Sequence, residues 1–456
     1  MTRILYWNVQ IFSQPKIVQL AGPTSAKMAQ DRLNHMLDVI APLPPAPPRP
    51  LDLIILVEVS ARNMEIATPG LILNPNSAAG HAVCYLLNEI RQRTGEEWCL
   101  IPPPMDGEGG KREAVAILYK AATLAFTGPW IYAKALSGAK LRMPVTNIDL
   151  NYLQDYPAAY AQRFPATLRY WGVGGHNVPE WQGAAQTEFA NLKFPSQYDR
   201  APTYVRMVDM STMRKLNIFA VHTSPASAAE ATRSIAEISE VRFVQDDEIS
   251  VVVGDFNCHS FADVPVTEDP YYSLRDPFQM QYEMLLKARM TATGPVVYSR
   301  QPYCMTHLLP NTRPYGDTGY VIVATPYNAS NGLPSPTNNV YPRLGYMGSS
   351  YPTLNDKGAI DNAFVKYGAN MAPVPHNTTI VNTVVGQPYT AIAPPPPGVT
   401  ADLTSGLPQA CLMNMAHPAM VPTGFAPGTW VSNFNNWSAY QHIHDVSDHL
   451  ALIFDV

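Results

Sequence analysis

A chain of 456 residues with 46% hydrophobic side chains can bury a large core, and its length alone allows two or three domains. Its formal net charge of -5 gives no long-range attraction to nucleic acid and weakens the case for simple polyanion binding, leaving a local basic site or a bound cation as ways to hold a phosphate. No apolar run is long enough to cross a bilayer as a helix, and the start lacks the pattern of a cleavable secretory signal, so a soluble chain is expected, either cytoplasmic, mature after processing, or exported by a route that needs no cleavable signal. The five cysteines (Cys84, Cys99, Cys258, Cys304, Cys411) include no C-x-x-C pair, which argues against a thiolate metal site and a disulfide framework.

In chain order, "RILYWNV" reads as a buried strand, and "AKMAQDRLNHMLDVIA" as an amphipathic helix. The runs "LDLIILVEV", "AVAILYK" and "KLNIFAVHT" follow as strands, short, rich in apolar residues and flanked by turn residues. A second helix is expected over "PASAAEATRSIAEISEVRFVQ", where Ala229, Ile235, Ile238 and Val241 share helical spacing. Strands "ISVVVGDF", "IDNAFVKY" and "LALIFDV" complete the set. Strands mixed with helices imply layered α/β packing around a sheet core.

Three long Pro-, Tyr- and Asn-rich stretches interrupt this pattern: 121–197, 261–357 and 370–441. Structureless loops of that length are uncommon inside compact domains, so these are expected to be insertions with some structure of their own. The runs "APLPPAPPRP" and "APPPPG" read as rigid loops, with a ligand for a protein partner as the alternative.

Polar residues recur where the apolar strands begin or end. Asn8 lies within the first strand, Glu58 within the second, and Glu113 just before the third. His222 closes "FAVH", Asp255 and Asn257 close "VVVGDFN", Asp361 opens "DNAFVKY", and Asp448 and His449 precede the last strand. Taken singly, each has an ordinary structural explanation: a turn, an edge residue or a salt bridge. Together they mark one edge of a sheet. The hard oxygen donors Glu58, Asp255 and Asp448, with the carbonyls of Asn8 and Asn257, suit Mg²⁺, Mn²⁺ or Ca²⁺ rather than zinc. Pairing His222 with Glu113 and His449 with Asp361 would fix each imidazole and leave its second nitrogen to move protons. A divalent cation and two such imidazoles fit hydrolysis of a phosphate ester by water.

The ordered set "WNVQIF", "LVEVS", "REAVAILYK", "VHTSPAS", "GDFN", "AIDNAFVKY" and "SDH" resembles the endonuclease/exonuclease/phosphatase superfamily, and within it the deoxyribonuclease I branch. It is also similar to the catalytic subunit of cytolethal distending toxins, whence a toxin or effector role is preferred. The resemblance implies a four-layer sandwich, two packed mixed β-sheets flanked by helices, and one catalytic domain over residues 1–456. It implies that Glu58, Asn8 and Asp448 hold a metal, that Asp255 and Asn257 orient the phosphate or a second metal, and that the two histidine–carboxylate dyads are catalytic. "YDRAPTYVRM" resembles the nuclease segment whose arginine grips a phosphate, which implies Arg200, and Arg62 matches a basic residue of the minor-groove contact. The expectation is therefore a Mg²⁺-dependent endonuclease nicking double-stranded DNA with little sequence preference. A phospholipid or inositol-phosphate phosphoesterase, and a non-catalytic binding module on the same fold, are the alternatives.

Overall fold

The computed structural model describes residues 1–18, 23–42, 49–61, 77–101, 113–132, 202–258, 269–286, 360–382 and 444–456, with isolated short pieces between them. Its first half runs β1 (Arg3–Phe12), α1 (Gln14–Ile17), α2 (Pro23–Ile40), β2 (Leu53–Ser60), α3 (Ala78–Thr94), β3 (Trp98–Ile101), β4 (Met105–Asp106), β5 (Glu113–Lys120) and β6 (Leu124–Tyr132). Then come β7 (Thr203–Asp209), β8 (Lys215–His222), α4 (Ala228–Ala236), α5 (Ser239–Arg242), β9 (Glu248–Asp255), α6 (Tyr272–Arg275) and β10 (Glu283–Met284). The chain closes with β11 (Asp361–Tyr367), β12 (Thr379–Asn382), β13 (Gln387–Thr390) and β14 (Ala451–Asp455). Three two-stranded ribbons stand apart, at 135–141, 321–341 and 327–334.

The strands form two mixed sheets. The first has the order β13-β12-β14-β1-β2-β5-β3, with β4 also on β5, and the second β10-β11-β9-β8-β7-β6. Each contains one parallel pair, β1 with β2 and β8 with β9, flanked by antiparallel neighbours. A parallel pair needs a crossover, and α2 and α4 supply it. The central strands of one sheet face those of the other, so the crossover helices cover the outer faces and four layers result. All eight residues of β9 are buried, which an apolar run without in–out alternation predicts for a strand covered on both sides.

All seven strands expected from the apolar runs are present. The second helix is interrupted: α4 ends at Ala236 and α5 starts at Ser239, yet Ile238 and Val241 are fully buried across the break. The helix α3 was not anticipated. Its sequence carries the usual punctuation, Ser77 accepting the Gly80 N–H at its start and Gly95 at φ +68° at its end. Parts of the three stretches read as insertions belong to the sheets. β6 edges the second sheet, and β12 and β13 edge the first. β6 was hidden by the Gly128–Pro129 pair inside it, which falls where its register with β7 slips, as an edge strand tolerates. Among the described residues no helix is long and apolar enough to cross a membrane, and Cys84, Cys99 and Cys258 form no disulfide.

Candidate active site

The C-terminal ends of the parallel strands β1, β2, β8 and β9 and the N-terminal ends of β5 and β11 share one edge of the sandwich. In the second sheet the register alone does the placing: His222 pairs with Asp255, and Asp255 with Asp361. Paired residues on neighbouring strands point to the same face, so all three side chains look toward the first sheet. The backbones come so close here that position 254 must be glycine. A Cβ on Gly254 would lie 2.1 Å from the Val221 carbonyl oxygen.

In the first sheet the placing needs an irregularity. β2 pairs with β5 at Leu56–Ala116 and again at Val59–Ala114, so Val57 and Glu58 stand opposite Val115 alone. This is a β-bulge, and Glu58 takes φ +60° in it. The neighbouring Gln10 and Ile11, at φ 38° and 52°, form the matching slip in β1. Their N–H groups hold the site: Gln10 donates to Asn8 Oδ1 at 3.0 Å, and Ile11 to Glu58 Oε2 at 3.2 Å. The Lys16 ammonium donates to the carbonyls of Val9, at 2.8 Å, and Gln10, clamping the bulge from the other side.

The two edges meet over a few ångströms. Glu113 Oε1 lies 2.6 Å from His222 Nδ1, and Asp361 Oδ2 2.7 Å from His449 Nδ1. The opposite ring nitrogens converge, His222 Nε2 at 3.6 Å and His449 Nε2 at 3.7 Å from Asp255 Oδ2. His222 Nε2 is also 3.5 Å from Glu58 Oε1, and His449 Nε2 is 3.8 Å from Asp448 Oδ1. Asn8 joins the sheets, its Nδ2 donating to Glu58 Oε1 at 3.0 Å and to Asp255 Oδ2 at 3.2 Å.

Burial and charge work against each other throughout. Burial pushes Asp255 up to about 6; His449 and His222 pull down, while Asp361 pushes further up. Burial alone would also raise Glu58, but the two imidazoles and the Asn8 amide outweigh it and hold that carboxyl low. For His449 burial works downward, and Asp361, then Asp255 and Asp448, overcome it and raise the imidazole well above its ordinary value. Lys16 is lowered to about 8, first by burial, with Asp448 and Glu58 opposing. Glu58, His222 and Asp255 place ligand atoms within 4.8 Å of one another, as do Asp255, Asp361 and His449. Converging carboxylates, one of them raised by burial, fit a hard divalent cation, which would relieve the cost of keeping Asp255 charged.

Of the residues singled out in the sequence, Asn8, Glu58, Glu113, His222, Asp255, Asp361, Asp448 and His449 come together. Asn8 directs its nitrogen, not its oxygen, at the carboxylates, because the oxygen is taken by Gln10. Asn257, at φ +49°, donates its backbone N–H to Asp255 Oδ1 at 2.8 Å and its side-chain amide to Thr223 O at 2.9 Å. The Asp-x-Asn spacing is thus a turn that fixes the carboxylate. Arg62 and Arg200 lie outside the described residues.

Supporting residues were not foreseen. Ser447 Oγ donates to the Asn8 carbonyl at 2.5 Å and accepts from the His449 N–H at 2.9 Å. The Trp7 indole donates to the His449 carbonyl at 2.8 Å. Thr306 accepts the Asp361 N–H on Oγ1 at 3.1 Å and the Leu450 N–H on its carbonyl at 2.7 Å, tying the start of β11 to the residue that follows His449. The "WN" pair and the "SDH" triplet hint at the first two; nothing local marks Thr306 or Lys16.

Two packed mixed sheets with paired imidazoles and carboxylates at one edge define an α/β sandwich whose edge gathers groups that could hold a cation. No protein-family model matches the chain, and no curated protein matches it. Solved structures that match include TDP2 from D. rerio complexed with single-strand DNA product, at 10% identity over 100% of this chain and 99% of that one, with a TM-score of 0.38. An endonuclease/exonuclease/phosphatase family protein from Leptotrichia buccalis matches at 11% identity over 100% and 99%, TM-score 0.39. A mannosyl-6-phosphatase from Bacteroides thetaiotaomicron matches at 10% over the same shares, TM-score 0.37. The Leptotrichia buccalis protein belongs to the superfamily that the motifs resemble.

Proposed function

We propose that the protein is a divalent-metal-dependent phosphoesterase that hydrolyses phosphodiesters, with DNA nicked endonucleolytically as its substrate reaction. The observation that carries this reading is the convergence of two carboxylate-backed imidazoles on Asp255, at 3.6 and 3.7 Å. Each has its Nδ1 engaged by a carboxylate, which leaves Nε2 as the working atom of both.

In the reaction, one Nε2 takes a proton from the attacking water as its oxygen bonds to phosphorus. The other Nε2 gives a proton to the ester oxygen as the phosphorus–oxygen bond to the leaving group breaks. Glu113 and Asp361 hold the rings in place and stabilise the charge that develops on them. Glu58 and Asp255, with Asp448 at the rim, would hold the cation, and Asn8 would orient both carboxylates. When bound, the cation supplies positive charge to the phosphate oxygens. Preference for DNA draws its support from the resemblance of the segments carrying Glu113 and Arg200 to nucleases; binding through phosphates would make activity fall as salt rises.

The test is nicking of supercoiled plasmid with Mg²⁺ or Mn²⁺, comparing the intact protein with His222→Ala and with an EDTA control. Nicking abolished in both controls is the expected result. A folded, metal-loaded protein that leaves the plasmid intact would refute the DNA reading and direct the same assay to phospholipid and inositol-phosphate esters.

A further inference from the structure

Beneath the dyads lies a group with no part in the chemistry above. Tyr6 is completely buried, and its hydroxyl makes no hydrogen bond of ordinary geometry. Asp361 is also completely buried; its Oδ2 is engaged by His449, while its Oδ1 is buried without a hydrogen-bond partner. A buried donor and a buried acceptor, each unsatisfied, are costly when separate. They face each other across the sheets: Tyr6 shares the face of β1 with Asn8, which donates to Asp255 Oδ2, and Asp361 pairs with Asp255 on the opposing sheet.

The strand geometry explains the meeting. β1 is in regular register through Tyr6, which pairs with Ile55 on one side and Leu452 on the other. Tyr6 therefore projects on the same face as Asn8, two residues on, toward the second sheet. Asp361 opens β11 opposite Asp255, on the face that looks back. Burial first, then Asp361 and Asp255, raise the phenol well above its ordinary value, so it stays protonated and can only donate to a carboxylate.

We propose that Tyr6 is a positioning residue of the active site: its hydroxyl donates to Oδ1 of Asp361 and thereby fixes the carboxylate whose Oδ2 holds Nδ1 of His449. The effect on turnover rests on the phosphodiesterase reading, whereas the hydrogen bond does not. Without that bond the carboxylate can rotate about its own axis, and the imbalance reaches the ring nitrogen that moves the proton. Tyr6 acts through Asp361 and touches no substrate.

Three measurements test this. A crystal structure of the native protein should place the Tyr6 hydroxyl within about 2.5–3.0 Å of Asp361 Oδ1; a water or another donor on Oδ1, with the hydroxyl turned elsewhere, overturns the proposal. In proton NMR without substrate, the downfield His449 Nδ1–H resonance, assigned by its loss in Asp361→Asn, should move in Tyr6→Phe while the His222 Nδ1–H resonance stays. An unmoved His449 signal overturns the proposal whatever the protein hydrolyses. Where hydrolysis is measured, Tyr6→Phe should lower kcat about tenfold with KM unchanged, an order typical of groups that support a ligand from behind. Added to Asp361→Asn, it should cost nothing further; an undiminished additional loss would place Tyr6 in some other role.

Discussion

In β8–β9 eight residue pairs run in unbroken register from Lys215–Glu248 to His222–Asp255, whereas in β1–β2 the register slips after Asn8 and three residues lie at positive φ. Both pairs deliver side chains to the same edge. The regular pair needs only the right residue types at its last positions, with a glycine to let the backbones approach. The irregular pair must overcome its own alternation. Val57 pairs with Asn8 and faces inward, so an undistorted strand would send Glu58 outward. The extra residue opposite Val115 lets Val57 and Glu58 face the same side. A non-glycine residue in the left-handed region costs on the order of 1–3 kcal/mol, and it persists where its surroundings over-determine it. Here the Ile11 N–H and the Lys16 clamp do so. Strain is therefore concentrated around Glu58, while His222 and Asp255 stand on regular sheet.

That contrast can be broken at four points. Asp255 belongs to both sides, facing both imidazoles and bonded to Asn8, so Asp255→Asn should lower the hydrolytic rate about 10³-fold in initial-rate assays. A variant that keeps near-native rates would mean that the convergence on Asp255 does not serve catalysis. Gly254→Ala attacks the regular pair through packing alone. With a Cβ only 2.1 Å from the Val221 oxygen, urea unfolding should show a loss of about 3 kcal/mol or more. Stability within 1 kcal/mol of native would show that β8 and β9 can part at that point.

Lys16→Met attacks the irregular pair. Two carbonyls lose their donor, so about 1–2 kcal/mol of stability should go. Cation affinity, read as the Mg²⁺ or Mn²⁺ concentration for half activity, should weaken about tenfold as Glu58 loosens. An unchanged metal requirement would show that the Ile11 and Asn8 contacts hold Glu58 by themselves. The smallest effect is a control away from both pairs' site ends. Burial alone would raise Asp209, but the Ser211 hydroxyl and the N–H groups of Ser211 and Thr212 outweigh it and bring the carboxyl to about 2. Its folded value lies below the ordinary one, so its contribution of about 1–2 kcal/mol is present above about pH 4 and lost as pH falls through about 2. Asp209→Asn should flatten acid unfolding in that window and leave hydrolysis at neutral pH unchanged. A steep acid transition retained by Asp209→Asn would assign it to other carboxylates.

Much of this architecture is written in local chemistry. Apolar, β-branched runs bounded by turn residues are strands because both faces of the central ones are covered, and polar residues at their ends could be recognised as a group by that position. Other parts depend on distant neighbours. β6 carries a Gly-Pro pair that reads as a loop until β7 is known to pair beside it. α4 and α5 read as one helix because the apolar spacing continues across the break.

The site divides the same way. His222, Asp255, Asp361 and His449 were evident as candidates from residue type and place in the strands, since an ionisable group at the end of a buried run demands a partner. What only the tertiary structure decided is which way each side chain faces and what holds it. The bulge that turns Glu58 inward, the Lys16 clamp, Ser447 and Trp7 pinning the His449 turn, Thr306 joining two elements and Tyr6 beneath Asp361 all depend on contacts between segments remote in the chain or on an extra residue in one strand. Local propensity sets which residues can lie at the edge of the sandwich. Packing one sheet against another, and the requirement that each buried donor and acceptor be matched, selects the orientation in which they lie there.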